Sequence, residues 1–284
     1  MRPYDILDVF TATPLAGNPL AVVHQADGLS TERMQAIAAE FNLSETIFLS
    51  EPAGGVVPAR IFTPREEFAF AGHPTVGGSI ALALRNGTRE VVLQVPAGRV
   101  EVSITGDAVR RATLAAPLPA AEFVDLPVEA LARLVDLAPD DIVTEVYRPA
   151  LLRGGPGFVA VPLRSPKVLA AARYVEAHAG VLEGLPKQVY LVAKGPDGFR
   201  TRMFAPAAGV AEDPATGAAA VCLAALINLA EGPGDGTHAV DIVQGVEMGR
   251  PSRIGIVAEV AGGALQRVTL SGEAVLVAQG SLLV

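Results

Sequence analysis

The sequence has one cysteine, no tryptophan and few aromatic residues of any kind. A single cysteine, Cys222, excludes an internal disulfide, and its place within an apolar run predicts a buried, inert thiol. Aromatic residues make up 5% of the chain, which leaves few platforms on which bases or sugars could stack. The net charge is −8, and the Lys and Arg residues are scattered, so no basic stripe and no nucleic-acid partner are expected.

Long apolar runs and cofactor motifs are also missing. No run approaches the roughly 20 residues that span a bilayer. The first ten residues, MRPYDILDVF, include acidic residues where a signal peptide has an uninterrupted apolar segment. We therefore expect no membrane association and a cytoplasmic location. The sequence lacks the GxGxxG and GxxxxGKS/T patterns, and His24, His178 and His238 lack metal-ligand spacing, so no cofactor and no metal are expected.

The hydrophobic pattern predicts a mixed α+β protein. At 284 residues and 50% hydrophobic content, the chain is long enough for two domains with a sizeable core. Short runs rich in Val, Ile and Leu alternate with Gly/Pro turns and predict strands of a mixed or antiparallel sheet. Residues 30–41 have a Ser/Thr cap and helical spacing, which predicts an amphipathic helix. Residues 75–85 are apolar on every side, which predicts a buried helix.

Three blocks of sequence recur in the same order at an offset of about half the chain. They are 59–64 with 201–206, 73–84 with 213–224, and 93–99 with 243–250. The recurrence indicates a duplicated domain, in which each half contributes one buried helix.

The duplication divides the chain into two predicted halves. Residues 1–117 form the first half, which the strand-like run 273–284 is placed to complete, and residues 118–272 form the second. The division is expected in the Pro/Ala-rich stretch 115–123, which is typical of a linker. Because ligand pockets are usually found at domain interfaces, we expect a ligand pocket in the cleft between the two halves.

Each predicted buried helix is entered through glycines and a proline. In the stretch FAGHPTVGGSIALAL, Gly72 and Pro74 precede the apolar run, and Pro214 and Gly217 do so in the second half. Such entrances bare backbone N–H groups at the positive end of the helix dipole. Two entrances facing each other would suit a small molecule that bears a carboxylate.

Positions at which the halves differ are the candidates for chemistry. His73 and Asp213 occupy equivalent positions in the two entrances and could form an acid/base pair. Glu45 stands at the start of an apolar strand, a setting that suits a general base. Structural alternatives remain open: Glu45 could end a turn, His73 could bond a backbone carbonyl, and Asp213 could be an N-cap. The matched Arg60 and Arg202 are expected to form structural ion pairs.

Five motifs in order resemble the phenazine-biosynthesis isomerase (PhzF) family over nearly the whole chain. They are DVFTATPLAGNPLAVV, NLSETIFL, RIFTPREEFAFAGHPTVGGSIAL, EDPATGAAA and QGVEMGRPSRI. The resemblance implies a diaminopimelate epimerase-like α+β fold of two similar halves. In each half a mixed or antiparallel sheet would wrap around a buried central helix, with the active site in the cleft between the halves. The resemblance also implies a homodimer and a cofactor-independent isomerisation of a dihydro-hydroxyanthranilic acid.

The same resemblance implies roles for particular residues. Glu45 would carry the proton between carbons as acid and base, and His73 and Asp213 would orient the substrate. The substrate-binding residues implied in this way are Gly72, Thr75, Thr216 and Gly217. The family commonly has Ser where this chain has Ala218, so one hydroxyl that could contact the ligand is missing and the substrate stays open.

Two other functions remain open. Epimerases of this fold that use two cysteines are excluded, because Ala71 and Thr216 stand at the corresponding positions and neither can take a proton from carbon. An epimerase or racemase of an amino acid that depends on Glu45 is compatible with the sequence. So is a non-catalytic protein that binds a small acid.

Overall fold

The computed structural model describes residues 1–155 and 157–284. These residues divide into two compact units. Unit 1 consists of Met1–Ala115, Gly249–Arg253 and Thr269–Val284, and unit 2 consists of Ala116–Met248 and Ile254–Val268. The described part of the chain is mixed α/β, with a closed β-barrel in unit 1 and few helices.

The described residues form seventeen strands and five α-helices. The strands are β1 (Arg2–Val9), β2 (Asn18–Val23), β3 (Glu45–Leu49), β4 (Val57–Phe62), β5 (Glu67–Phe68), β6 (Glu90–Val95), β7 (Gly98–Thr105), β8 (Arg110–Ala116), β9 (Ala120–Phe123), β10 (Ala150–Arg153), β11 (Gly157–Pro162), β12 (Val189–Gly195), β13 (Gly198–Ala205), β14 (Val210–Asp213), β15 (Gly236–Gln244), β16 (Ser252–Ala261) and β17 (Ala264–Leu282). The helices are α1 (Thr31–Phe41), α2 (Gly72–Asn86), α3 (Val128–Leu134), α4 (Pro166–Ala171) and α5 (Gly217–Glu231).

Eight strands of unit 1 close into a barrel. Strands β1 and β2 are antiparallel, β2 and β3 parallel, β3 and β4 antiparallel, and β4 and β6 parallel. Strands β6, β7 and β8 follow as antiparallel neighbours. Strand β17 then pairs with both β8 and β1 and closes the ring.

Helix α2 forms the core of this barrel. Twelve of its fifteen residues are buried, in agreement with the all-round apolar pattern. Glycines let it lie close to the strands: a Cβ on Gly77 would lie 2.4 Å from Leu20, and one on Gly78 would lie 3.0 Å from Ile47. The helix begins at Gly72, three residues before the predicted start, because Pro74 has no N–H to lose in a first turn.

The amphipathic helix predicted for residues 30–41 is confirmed as α1. The hydroxyl of Ser30 accepts a hydrogen bond from the N–H of Arg33 and caps the helix. Helix α1 buries Met34, Ile37 and Ala38 in a cluster that contains residues of β2, β3 and β4.

Unit 2 repeats the order of strand pairings seen at the start of unit 1. Strands β10 and β11 are antiparallel, β11 and β12 parallel, β12 and β13 antiparallel, and β13 and β15 parallel. Strand β9 pairs with β10, so residues 115–123 are not simply a linker: Ala120–Phe123 form a strand because their backbone bonds to Ala150–Arg153.

The buried helix of unit 2 is α5. Ten of its fifteen residues are buried, and Cys222 among them is fully enclosed, as predicted. Burial raises the pKa of the Cys222 thiol to about 12, so the thiol is protonated and unreactive at neutral pH. Across residues 1–155 and 157–284, no helix combines the length and the apolarity that crossing a membrane requires.

Candidate active site

Glu45 and His73 form a close pair in unit 1. Glu45 is the first residue of β3, and His73 is the second residue of α2. The Oε2 atom of Glu45 lies 2.9 Å from Nδ1 of His73. The side chain of His73 is 4% exposed and that of Glu45 is 17% exposed, so the carboxylate is the member of the pair that a molecule from solution can reach.

The histidine holds the carboxylate in place in either protonation state. When Glu45 is ionised, Nδ1 carries a hydrogen and donates to it, and when Glu45 is protonated its hydroxyl can donate to Nδ1. The other ring nitrogen, Nε2, is enclosed and has no hydrogen-bond partner among the described residues. The ring therefore makes its one polar contact to Glu45, which restricts the orientation of the carboxylate.

The entrance of α2 lies beside this pair. Ala71 is the N-cap, and its side chain makes no capping bond, so backbone N–H groups at the helix start have no side-chain cap. Gly72, the first helical residue, is buried. Thr75, also assigned to the substrate from sequence, is fully buried and donates its hydroxyl hydrogen to the carbonyl of Ala71 over 2.7 Å.

Asp213 and Thr216 lie together in unit 2. The hydroxyl of Thr216 donates to Oδ2 of Asp213 over 2.6 Å. Asp213 ends β14 and is 7% exposed, whereas Thr216 is the N-cap of α5 and makes no side-chain capping bond of its own. Gly217, the first residue of α5, is buried, and Ala218 is partly exposed. The bond from Thr216 fixes the orientation of the Asp213 carboxylate at the start of α5.

Gln244 is a member of this cluster that the sequence analysis did not single out. Its side-chain amide donates to the carbonyl of Asp213 over 2.7 Å and to the Thr216 hydroxyl over 3.0 Å. Its Oε1 accepts from the hydroxyl of Thr201 over 3.2 Å and from the N–H of Thr216 over 3.4 Å. Gln244 is fully buried. Its position at the end of an apolar strand, within a recurring block, is the signal that could have identified it.

Arg60 and Arg202 form the ion pairs expected of them. Arg60 donates from Nε and Nη2 to Glu67 over 2.6 and 2.5 Å, and Arg202 donates in the same way to Glu212 over 2.8 and 2.9 Å. Each guanidinium also lies over the ring of the Phe two residues later on its strand. Both arginines are thus engaged in structural contacts.

The described residues offer proton-transfer groups but no metal cluster. Over residues 1–155 and 157–284, no three or more His, Cys, Asp or Glu side chains are grouped to hold an ion. A partly exposed carboxylate beside uncapped backbone amides can accept a proton from carbon and return it, while the amides hold a negative charge.

The model of the phenazine biosynthesis-like protein family (PhzC-PhzF) matches residues 7–280. The chain belongs to this family. Within the phenazine biosynthesis-like family, trans-2,3-dihydro-3-hydroxyanthranilate isomerase of Pseudomonas aeruginosa is 38% identical over 283 residues, 99% of this chain and 99% of that protein. An uncharacterized isomerase of Mesorhizobium japonicum is 39% identical over 302 residues, 100% of this chain and 99% of that protein. These relatives class the chain as an isomerase.

A solved structure extends the likeness to the fold. A protein of Pseudomonas aeruginosa described as a predicted epimerase superposes with a TM-score of 0.83 at 30% identity and covers 100% of both chains. A protein described as a predicted epimerase thus shares the architecture of this phenazine biosynthesis-like protein. The match over residues 7–280 confirms the family that the five motifs indicated.

Proposed function

We propose that this protein is a cofactor-independent isomerase that moves a proton between two carbons of a small carboxylic acid, with Glu45 as acid and base. The observation that carries the proposal is the 2.9 Å contact between Glu45 and His73 at the entrance of α2. The buried ring steadies a carboxylate that is 17% exposed, and a steadied, reachable carboxylate is what reversible proton transfer requires.

The proton transfer proceeds in two balanced steps. Ionised Glu45 takes a hydrogen from one carbon, and the electron pair of the broken C–H bond spreads into the adjacent double bond of the substrate. Glu45 then gives a proton to another carbon of that system, which restores the ionised carboxylate. Because the Glu45 carboxyl is partly exposed, its proton can exchange with water before it is delivered, and in D₂O the product then carries deuterium. The backbone amides at Gly72 and His73 hold the substrate carboxylate and stabilise the charge that builds up in between.

Asp213, Thr216 and Gly217 are assigned to substrate orientation. The bond from Thr216 to Asp213 supports this role, because it fixes the orientation of a carboxylate that lies at the start of α5. The matching order of strand pairings in the two units supports an origin by duplication, with one helix entrance in each half. The sequence blocks that recur between the halves give independent support.

The substrate class follows from the relatives by analogy. The Pseudomonas aeruginosa relative is named for a dihydro-hydroxyanthranilate, a cyclic acid with an amino group and a hydroxyl. Such a ring offers the conjugated C–H that Glu45 needs. Ala218 supplies no hydroxyl at the entrance of α5, so a substrate with one fewer polar group at that point is the better fit.

The test is solvent deuterium incorporation into a panel of small acids. The panel contains dihydroanthranilate analogues, other unsaturated carboxylic acids and amino acids, and exchange is followed by NMR in D₂O. We expect exchange with the wild type and its loss in Glu45→Gln. Glu40→Gln, which removes the same charge from an exposed position on α1, is the matched control and should exchange normally. Exchange that survives in Glu45→Gln would refute the role of Glu45.

The products distinguish the remaining alternatives. Inversion at the α-carbon of an amino acid, read by chiral chromatography, would indicate an epimerase. The solved structure described as a predicted epimerase from Pseudomonas aeruginosa is the reason to test for this function. Binding of an acid by calorimetry without exchange, with affinity kept in Glu45→Gln, would instead indicate a binding protein. A shifted double bond with no inversion would support the isomerase.

A further inference from the structure

Unit 1 contains a cavity that the proposed function does not use. Its volume is about 480 Å³, within the range that holds small organic ligands. The walls come from the C-terminal end of α2, the start of β8 and the middle of β17. Its lining includes Asp5, Leu84, Arg85, Arg110, Leu276 and Gln279. Glu45 and His73 are not among the residues that line it.

One guanidinium in this cavity lacks the acceptors that its burial calls for. The Nε and Nη1 atoms of Arg110 are shielded from solvent and have no hydrogen-bond partner among the described residues. Arg110 as a whole is only partly buried, but N–H groups that are shielded and lack an acceptor are costly, and native proteins rarely leave them so. The neighbouring Arg111, by contrast, donates to Glu273 over 3.0 Å.

No carboxylate among the lining residues is left to neutralise the charge of Arg110. Arg85 donates from Nε and Nη2 to the carboxylate of Asp5 over 2.9 and 2.7 Å, so these two lining residues neutralise each other. Asp5 is the one acidic residue among those that line the cavity. Arg110 therefore gives the cavity a net positive charge, and an anion is the species that would satisfy it.

The remainder of the wall is largely apolar. Leu84, Val275 and Leu276 line the cavity, and Leu84 and Leu276 are 42% and 40% exposed, which is high for large aliphatic side chains. A ligand that covers these side chains while its charge meets Arg110 would remove apolar surface from water. Neither a bare inorganic anion nor an uncharged apolar molecule does both.

We propose that this cavity is a second ligand site, distinct from the Glu45 and His73 pair, which binds a small monocarboxylic acid with an apolar body through Arg110. The carboxylate accepts hydrogen bonds from the guanidinium, and the apolar body packs against Leu84 and Leu276. The inference does not depend on the proposed isomerase activity, because it rests on residues outside that site.

Benzoate is the probe for this site. In the ¹H–¹⁵N spectrum of the full chain, we expect benzoate to shift the Nε–H signal of Arg110 and the side-chain amide of Gln279 in a saturable manner. Arg110→Gln should raise the Kd for benzoate, read from the Gln279 signal, about tenfold or more, since a charge-assisted hydrogen bond is lost. Arg111→Gln removes the same charge from the next residue of β8 and should leave the affinity unchanged.

A second variant tests the cavity without touching its charges. Ala108 is exposed at the rim, so Ala108→Trp covers the opening and should also weaken the response. The proposal is wrong if benzoate leaves both signals unmoved, or if Arg110→Gln and Arg111→Gln behave alike. It is also wrong if the Arg110 signal responds to protein concentration and not to benzoate, which would identify a carboxylate of a second copy as the acceptor.

Discussion

A buried carboxylate in the first strand should control how this protein responds to acid. Asp5 is 2% exposed and accepts four hydrogen bonds: two from Arg85, one from Gln279 over 2.9 Å and one from His24 over 2.8 Å. Asp5→Asn keeps the size of the side chain and removes its charge. The Arg85 guanidinium, which is 34% exposed, then loses its anionic partner and turns toward water.

The magnitude follows from the pKa of Asp5. Burial raises this pKa, but the hydrogen bonds from Arg85, Gln279 and His24 outweigh burial and lower it from 3.8 to about 2. Because the folded pKa is the lower one, the stabilisation is fully present above pH 3.8 and is lost as the pH falls through about 2. The difference corresponds to about 2 kcal/mol at pH 7 and to about half of that at pH 3.

Urea unfolding followed by circular dichroism measures this effect. At pH 7, Asp5→Asn should lower the free energy of unfolding by about 2 kcal/mol, and the gap to the wild type should shrink by about half at pH 3. Asp107→Asn is the matched control, because that carboxylate is 91% exposed and bonded to Arg89, and it should change little. An equal loss from Asp5→Asn at both pH values would mean that packing, not charge, is responsible, and would refute the reasoning.

Two further predictions concern α2 and the Asp213 cluster. Gly77→Ala places a Cβ 2.4 Å from a side-chain atom of Leu20. The crowding costs about 1–3 kcal/mol and should outweigh the helix preference of alanine, about 1 kcal/mol, so Tm in thermal unfolding should fall. An unchanged or higher Tm would show that Leu20 moves aside freely. Gln244→Leu removes the amide that holds Asp213 and Thr216. It should reduce kcat of the exchange reaction roughly tenfold with a smaller effect on KM, and a large loss of Tm with unchanged kcat would contradict a positioning role.

The sequence predicts elements better than it predicts where they begin or which side chains meet. The buried helix α2 was identified from its all-round apolar pattern, but its start was missed because Gly72 and Pro74 are typical of turns as well as of first helical turns. The strand Ala120–Phe123 was hidden in a Pro/Ala-rich stretch, since its pairing with Ala150–Arg153 is a contact between distant segments.

For the site residues, too, the sequence indicates the chemistry of single side chains but not the contacts between them. Glu45 and His73 were each selected for their chemistry, yet the 2.9 Å contact between them depends on how β3 and α2 pack, which neither local pattern contains. Gln244 has no chemical signature of its own, and it matters because the end of β15 lies opposite Thr201 in the sheet. Arg110 is one arginine among many in the sequence, and only the absence of an acceptor within the described residues distinguishes it.

The closing strand of the barrel has a consequence for biosynthesis. Strand β17 joins β1 to β8, and its barrel portion, residues 269–282, is synthesised after the described residues of unit 2. Until then, the nascent chain carries two strands with open hydrogen-bonding edges, which are templates for wrong pairing with other chains. Folding of unit 1 is therefore completed only after unit 2 has been synthesised, and these edges stay open in the interval.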